Sequence, residues 1–272
     1  MPALGNALGL PFRKNGLGFV GALDAYASGL ADAFSAEHRL LSSYMGAAFC
    51  VRPSLGGADA DIGYLPTGRF NASAFAAHIG AGNGPAVKWY NQVSGSTHWE
   101  QTSDATKQGI VTPADVNGCC SLRMDAVNDG YPSIRTLNRP FTIYLVEQGL
   151  GGGVYRTLNG SSNCLVSSHR NVTNNAFIAG NVSNFDAGIS TPHVLSLVAP
   201  SGSGASYFVN GTNRTTTTTN TVNWGTLYLG HSGTNPEPAN SRLLTLLVYT
   251  VSHDSTTRAA IEQILKTLHG TP

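Results

Sequence analysis

Two tryptophans, a tyrosine, a histidine and a run of amides crowd into AVKWYNQVSGSTHWEQT, residues 86–102. An aromatic ring offers an apolar face that can stack on a sugar ring, while amides and imidazole bond hydroxyl groups. Trp99, His98, Tyr90 and Gln92 are therefore the candidate carbohydrate-binding set. The alternation in AVKWYNQ puts Val87 and Trp89, continued by Asn91, on one side of a strand, with Lys88, Tyr90 and Gln92 on the other. That assigns Trp89 to a core. Trp99 has two readings: an exposed indole for a glycan, or a tryptophan closing the end of a β-sandwich.

Other groupings carry less chemistry. Asp125, Asn128 and Asp129 bring hard oxygen donors into one turn, but calcium takes six or more oxygens. An Asx-turn that fixes a hairpin is the preferred reading, and Asp59 and Asp61 are read in the same way. Gly230-His231-Ser232-Gly233-Thr234 misses the Gly-x-Ser-x-Gly elbow by one position, with no helix after it. The eight histidines never fall at His-x-His or His-x3-His spacing, so no zinc site is expected. GLGGG at 149–153 opens no helix and lacks the Lys-Ser/Thr of a phosphate cradle. Cys50, Cys119, Cys120 and Cys164 sit at no metal spacing and read as free thiols of a reducing compartment. No catalytic residue, metal or cofactor is assigned.

Composition narrows the partners. The 272 residues are 41% apolar and only 11% charged, with a net charge of +1. Basic residues are scattered, so counterion-release binding to nucleic acid is not expected. No run approaches ~18 apolar residues, so no membrane span is expected. The opening MPALGNALGLPFRKNGLGF lacks the basic-then-apolar order of a secretory signal.

The elements that would hold these residues follow from periodicity. Residues 1–21 are punctuated by Gly and Pro and read as an extended arm. Its Leu4, Leu8, Leu10, Phe12, Leu17 and Phe19 are expected to lie on the chain's own domain or on a partner. Residues 23–45 carry helical spacing (Leu30, Phe34; Leu40, Tyr44) interrupted at Gly29, and 71–79 reads as a short helix capped by Asn71. After that the period becomes that of strands. AAFCVR, AVKWYNQ, CSLRMDA, FTIYLVEQ, VYRTLN, NCLVSS, NAFIAG, HVLSLVA, ASYFVNGT, TLYLGHS and RLLTLLVYT are separated by Gly, Asn, Ser and Pro turns. Asn210-Gly211 is a hairpin signal. Ile261, Ile264, Leu265 and Leu268 stripe a closing helix over 254–269, stopped by Gly270. The expectation is an all-β domain over 22–272: a two-sheet antiparallel sandwich with short N-terminal helices and one C-terminal helix.

The order of these segments resembles a known family. LRMDAVNDGY, FTIYLVEQ, HVLSLVAPSGSGASYFVNGT, LYLGHSG and RLLTLLVYTVSHDSTTRAAIEQILKTLHG follow as in laminin-G-like domains of the concanavalin A-like superfamily. HRLLSSYMGAAFCVRPSLGGADADIGYL and AVKWYNQVSGSTHWEQT resemble the opening of its arabinofuranosidase-type branch. There the wording is close to Trp/Tyr-Tyr-Asp-Gln-Ser-Gly-Asn; here it is Trp89-Tyr90-Asn91-Gln92-Val93-Ser94-Gly95. The resemblance covers roughly residues 36–270 and implies a jelly-roll sandwich. In that branch both catalytic carboxylates lie in the second half, one after the strand matching LYLGHSG. Here His231, Ser232, Gly233 and Thr234 stand there instead. Asp254 and Glu262 belong to the closing helix, leaving Asp186 and Glu237 as the only available pair, more simply read as loop acids. The branch also carries an adjacent cysteine pair at its sugar site, but Cys119–Cys120 lies in an earlier strand. With its arm, the chain is also similar to structural proteins of tailed bacteriophages. That similarity implies a non-enzymatic virion component, a capsid decoration or a tail or fibre protein. It would be made in the host cytoplasm, anchored by the arm to other virion proteins and self-associated. The alternatives are a carbohydrate-binding module for host-surface glycans and an arabinofuranosidase-like glycoside hydrolase.

Overall fold

In the computed structural model the described residues are 19–93, 95–125, 129–150, 154–160, 165–170, 173–178, 181–185, 190–202, 204–215, 225–230 and 239–272. In chain order the first elements are β1 (Leu30–Ser35), β2 (Ala47–Val51), β3 (Ala60–Gly63), α1 (Ala72–Ile79), β4 (Ala86–Trp89), β5 (Trp99–Glu100), β6 (Ile110–Val116), β7 (Cys119–Asp125) and β8 (Gly130–Leu137). Then come β9 (Phe141–Gly149), β10 (Val154–Gly160), β11 (Leu165–Arg170), β12 (Thr173–Ile178), β13 (Asn181–Phe185), β14 (His193–Ala199), β15 (Ser206–Val209), β16 (Thr212–Asn213), β17 (Gly225–Gly230), β18 (Asn240–Tyr249) and α2 (Ser255–His269).

One large sheet runs β16-β15-β14-β9-β18-β7-β6, with β1 also paired to β18; a second runs β13-β12-β11-β10-β17-β8; a small one runs β3-β2-β4-β5. The named pairings are antiparallel, as expected of a jelly-roll sandwich. The central strands of the large sheet are buried on both faces. Phe141, Ile143 and Leu145 of β9 join the main core, while Tyr144 and Val146 meet Ile261 and Leu265 of α2 on the other side. A strand covered on both faces loses its polar alternation, which is why FTIYLVEQ and HVLSLVA read as continuous apolar runs.

Local signals decide the ends of the elements. Asn71 Oδ1 accepts from the Ala74 N–H at 3.1 Å to start α1. Asp254 accepts from the Thr257 N–H at 2.7 Å to start α2, and Gly270, at φ 60°, takes the left-handed turn that ends it. Asn210 and Gly211 both have positive φ in the β15–β16 turn, as that hairpin demands.

Residues 23–45 depart from the expected helices. The segment makes one turn of 3-10 helix, Asp24–Tyr26, and then strand β1. The i, i+4 pair Leu30 and Phe34 lies in a strand because β1 is inserted against β18, where Ala33 faces the α2 side and Phe34 the main core. Tertiary pairing overrides a short periodicity.

Of the expected arm, Leu4, Leu8, Leu10, Phe12 and Leu17 lie outside the described residues. Phe19 docks on the chain's own body. The Arg39 guanidinium lies 3.7 Å from its ring centroid, and a side chain on Gly68 would collide with that ring. Gly21 is pressed equally closely on the backbone of Leu40 and Ser42.

Candidate functional site

The small sheet has two contrasting faces. Its inner face is an aromatic cluster. Trp89 stacks on Phe49 with centroids 5.8 Å apart, and Trp99 stacks on Phe34 at 4.5 Å. Phe70 and Phe75 extend the cluster to α1. Trp89 and Trp99 are both fully buried. The placement of Trp89 is as expected. Trp99 closes the sandwich end and shows no face to solvent, so it does not form a sugar surface. The polar wording around it had left its assignment open; Phe34, in the unforeseen strand β1, is what covers it.

Gln92 also leaves the candidate surface. It is buried, with Oε1 accepting from the Leu40 N–H at 2.7 Å and Nε2 donating to the His38 carbonyl and the Tyr64 hydroxyl at 2.9 Å each. Asn91 beside it is bonded to Asp32, to Thr97 O and to the Ala33 and Val93 N–H groups. These amides are internal fasteners: they satisfy backbone groups that strand pairing leaves over.

The outer face carries the polar chemistry. The register places Cys50 opposite both Asp61 and Lys88, and Lys88 opposite Glu100, so these four side chains form a row across β3, β2, β4 and β5. Beside that row stand Tyr90 and His98, both half-buried, with ring centroids 4.8 Å apart and edge to face. The Tyr90 hydroxyl donates to Asp61 Oδ1 at 2.7 Å. Lys88 pairs with Glu100 at 3.0 Å, and its ammonium lies 5.4 Å from the Tyr90 centroid. His98 Nδ1 accepts from the Asn91 N–H at 3.0 Å, which fixes its ring.

Burial, then the Asp61 hydrogen bond, raises the Tyr90 hydroxyl well above the usual phenol range. Burial, then Lys88, lowers the His98 imidazole. Burial pushes the Cys50 thiol up to about 11, with Asp61 adding to the shift. The strip at neutral pH is thus an uncharged aromatic pair flanked by an ammonium and carboxylates. It can hold hydroxyl groups from both sides and stack on a ring. It is not arranged to cleave: Asp61 and Glu100 are separated by three strand spacings, about 14 Å, while a glycosidase pair stands about 5–10 Å apart.

Other predicted groups fall elsewhere. Asp129 Oδ2 accepts from the Asp125 N–H at 2.7 Å, the turn-fixing role expected; Asn128 lies outside the described residues. Asp129 is buried, and burial pushes its carboxyl up to about 7. It stands beside Gly130, which is in register with Gly230, the last residue of β17; the resemblance put an acid just after that strand, at residues outside the described ones. Asp59 pairs with Arg52 at 2.9 Å, and Asp61 sits on β3; neither forms the expected Asx-turn. Asp186, His231, Ser232 and Glu237 lie outside the described residues. Glu262 is committed to Arg258 at 2.5 Å and to Ser196.

Cys50, Cys119 and Cys120 are free thiols, the adjacent pair buried. Three further residues meet in the fold. His38, Cys119 and His269, all buried, bring their donor atoms within 4.8 Å of one another. They come from three distant stretches of chain, so no spacing rule could have found them. Burial lowers the His38 imidazole to about 4 and His269 well below its ordinary value, while it pushes the Cys119 thiol up to about 11.

The sequence matches no family model and no curated protein. Solved structures do match. An arabinofuranosidase complexed with arabinofuranosyl-α-1,2-xylobiose superposes with a TM-score of 0.70 over 92% of this chain at 13% identity. A GH54 α-L-arabinofuranosidase soaked with a cyclic sulfate inhibitor gives 0.68 over 92%, also at 13% identity. The chain spans 65% and 66% of the length of those two proteins. At this identity the likeness is one of fold, and the antiparallel β-sandwich expected from segment order is the fold found. The virion reading does not survive it: three structures that share the fold over 92% of this chain are arabinofuranosidases, and nothing in this likeness points to a phage particle.

Proposed function

We propose that this chain is a carbohydrate-recognising sandwich whose binding surface is the outer strip of the small sheet. Tyr90 and His98 are its aromatic centre, with Asp61, Lys88 and Glu100 as hydroxyl-bonding flanks. The observation that carries the reading is the Tyr90–His98 pair, held half-exposed and uncharged between fixed carboxylates and an ammonium. A ring face beside charged hydrogen-bonding groups meets the two demands of a sugar, an apolar C–H face and a rim of hydroxyls. The fold shared with proteins that hold arabinofuranosyl ligands supports pentose-containing oligosaccharides as the class to try first.

Titration of the chain with arabinoxylan oligosaccharides by calorimetry tests this reading. Saturable binding is expected, lost in Tyr90→Ala while the melting temperature stays near that of the parent. Absence of binding across pentose and hexose oligosaccharides, or binding unchanged in Tyr90→Ala, overturns it.

One observation favours a second reading, glycoside hydrolysis. A carboxyl raised to about 7 is the form a general acid needs to protonate a leaving oxygen at neutral pH, and Asp129 is such a group. Release of nitrophenol from an aryl arabinofuranoside, abolished by Asp129→Asn, would favour it. No turnover by the parent chain removes it.

A further inference from the structure

We propose that His38, Cys119 and His269 form a buried binding site for a zinc-class divalent ion that fastens the end of α2 to the large sheet. The three residues come from the segment after β1, the first position of β7 and the last position of α2. Their donor atoms lie within 4.8 Å of one another. A tetrahedral zinc ion bound at about 2.0–2.3 Å sets its ligands roughly 3.3–3.8 Å apart. On binding, the donor atoms would close by up to about 1.5 Å.

The hydrogen bonds set the tautomer of both rings. His38 Nε2 is 3.0 Å from the Leu268 carbonyl, which can only accept, so the proton sits on Nε2 and the lone pair on Nδ1. His269 Nε2 is 2.8 Å from Thr245 Oγ1, which gives its own proton to Ser35 Oγ at 3.1 Å; this ring too donates from Nε2. His269 Nδ1 is left fully buried with no partner among the described residues. A lone pair buried without a donor is costly in an apolar setting. An imidazole whose distal N–H is held by a carbonyl or hydroxyl oxygen is also how metal-bound histidines are fixed.

The donor set of two imidazole nitrogens and one thiol sulfur suits a borderline ion such as zinc and not calcium or magnesium. On binding, Cys119 forms the sulfur–metal bond as thiolate and its proton leaves to solvent. The nearby Glu37 carboxylate accepts from the Cys120 N–H at 2.7 Å and is paired with Arg69, so this pair brings both signs of charge beside the ion.

The full-length, tag-free chain, refolded with zinc chloride and dialysed, should retain about one zinc per chain. Refolded with cobalt chloride, it should show the near-ultraviolet thiolate-to-cobalt charge-transfer band. Cys119→Ser should lose that band and bind zinc more than ~10-fold more weakly, while Cys50→Ser should change neither. If Cys119→Ser does not fold, Cys119→Ala takes its place, and dialysis of the parent chain needs no variant. A parent chain that retains no zinc and shows no cobalt band overturns the proposal. So does a folded Cys119 variant with unchanged affinity, or a band that moves with Cys50.

Discussion

The side-chain amide of Asn91 donates to the carboxylate of Asp32 at 2.7 Å, joining the end of β4 to the middle of β1 inside the protein. Asp32 is also held by Arg135 Nε at 2.5 Å, and Asn91 Oδ1 receives the Ala33 and Val93 N–H groups. The resembling branch writes aspartate where this chain has Asn91. With Asp32 facing it, an aspartate here would set two carboxylates against each other. Asn91→Asp is therefore expected to destabilise the fold by about 2–4 kcal/mol at pH 7, because a buried donor is replaced by a like charge. The loss should shrink as pH falls towards 4 and one of the two carboxyls takes up a proton. Urea denaturation at the two pH values checks both the size and the direction.

Trp99 and Tyr90 separate a packing role from a binding role. Trp99→Ala empties a fully buried site against Phe34 and Trp89, and truncations of this kind cost about 3–5 kcal/mol. The variant should melt well below the parent yet, at a temperature where it remains folded, bind oligosaccharide as the parent does. Tyr90→Ala should do the reverse. Paired calorimetry and thermal melts on the two variants make the comparison.

Much of the scaffold was legible because turns and capping residues act locally. Asn71, Asp254, Gly270 and Asn210-Gly211 do what their side chains and φ angles require within a few residues. Strand β1 was not legible. LADAFS is buried on both faces by elements far along the chain, so no alternation survives and the Leu30–Phe34 spacing imitates a helix. The site divided in the same way. Tyr90 lies on the side that strand alternation predicts, His98 reaches it from the turn before β5, and Gln92 lies inside because the chain turns inward to meet Leu40, His38 and Tyr64. Asp61, Lys88 and Glu100 joined the strip only through register, and His38, Cys119 and His269 met only through tertiary packing. Neither is encoded in spacing.

The cap of α2 gives a calibrated surface test. Asp254 Oδ1 accepts the Thr257 N–H at 2.7 Å. Its carboxyl is held below the usual range by the backbone N–H of Thr257. Asp254→Ala should lower stability, with Asp254→Asn recovering most of the loss because the amide oxygen still accepts. Chemical denaturation of the three proteins at pH 7 orders them as parent, then Asn, then Ala.

Asp129 predicts a pH dependence of opposite sign to an ordinary ion-paired carboxylate. Its folded-state pKa is raised to about 7 from 3.8, with burial as the first cause. Between those values the folded state binds more protons than the unfolded chain, so this residue's contribution falls as pH rises from about 4 and is lost above about 7. A shift of this size corresponds to roughly 4 kcal/mol. Asp129→Asn keeps an oxygen for the Asp125 N–H and carries no charge at any pH. It should therefore leave stability at pH 4 nearly unchanged and raise it at pH 8. Guanidinium midpoints at the two pH values test this. A variant no more stable than the parent at pH 8 would show that the carboxylate is solvated when ionised, and would take from Asp129 the raised pKa on which a proton-donating role depends.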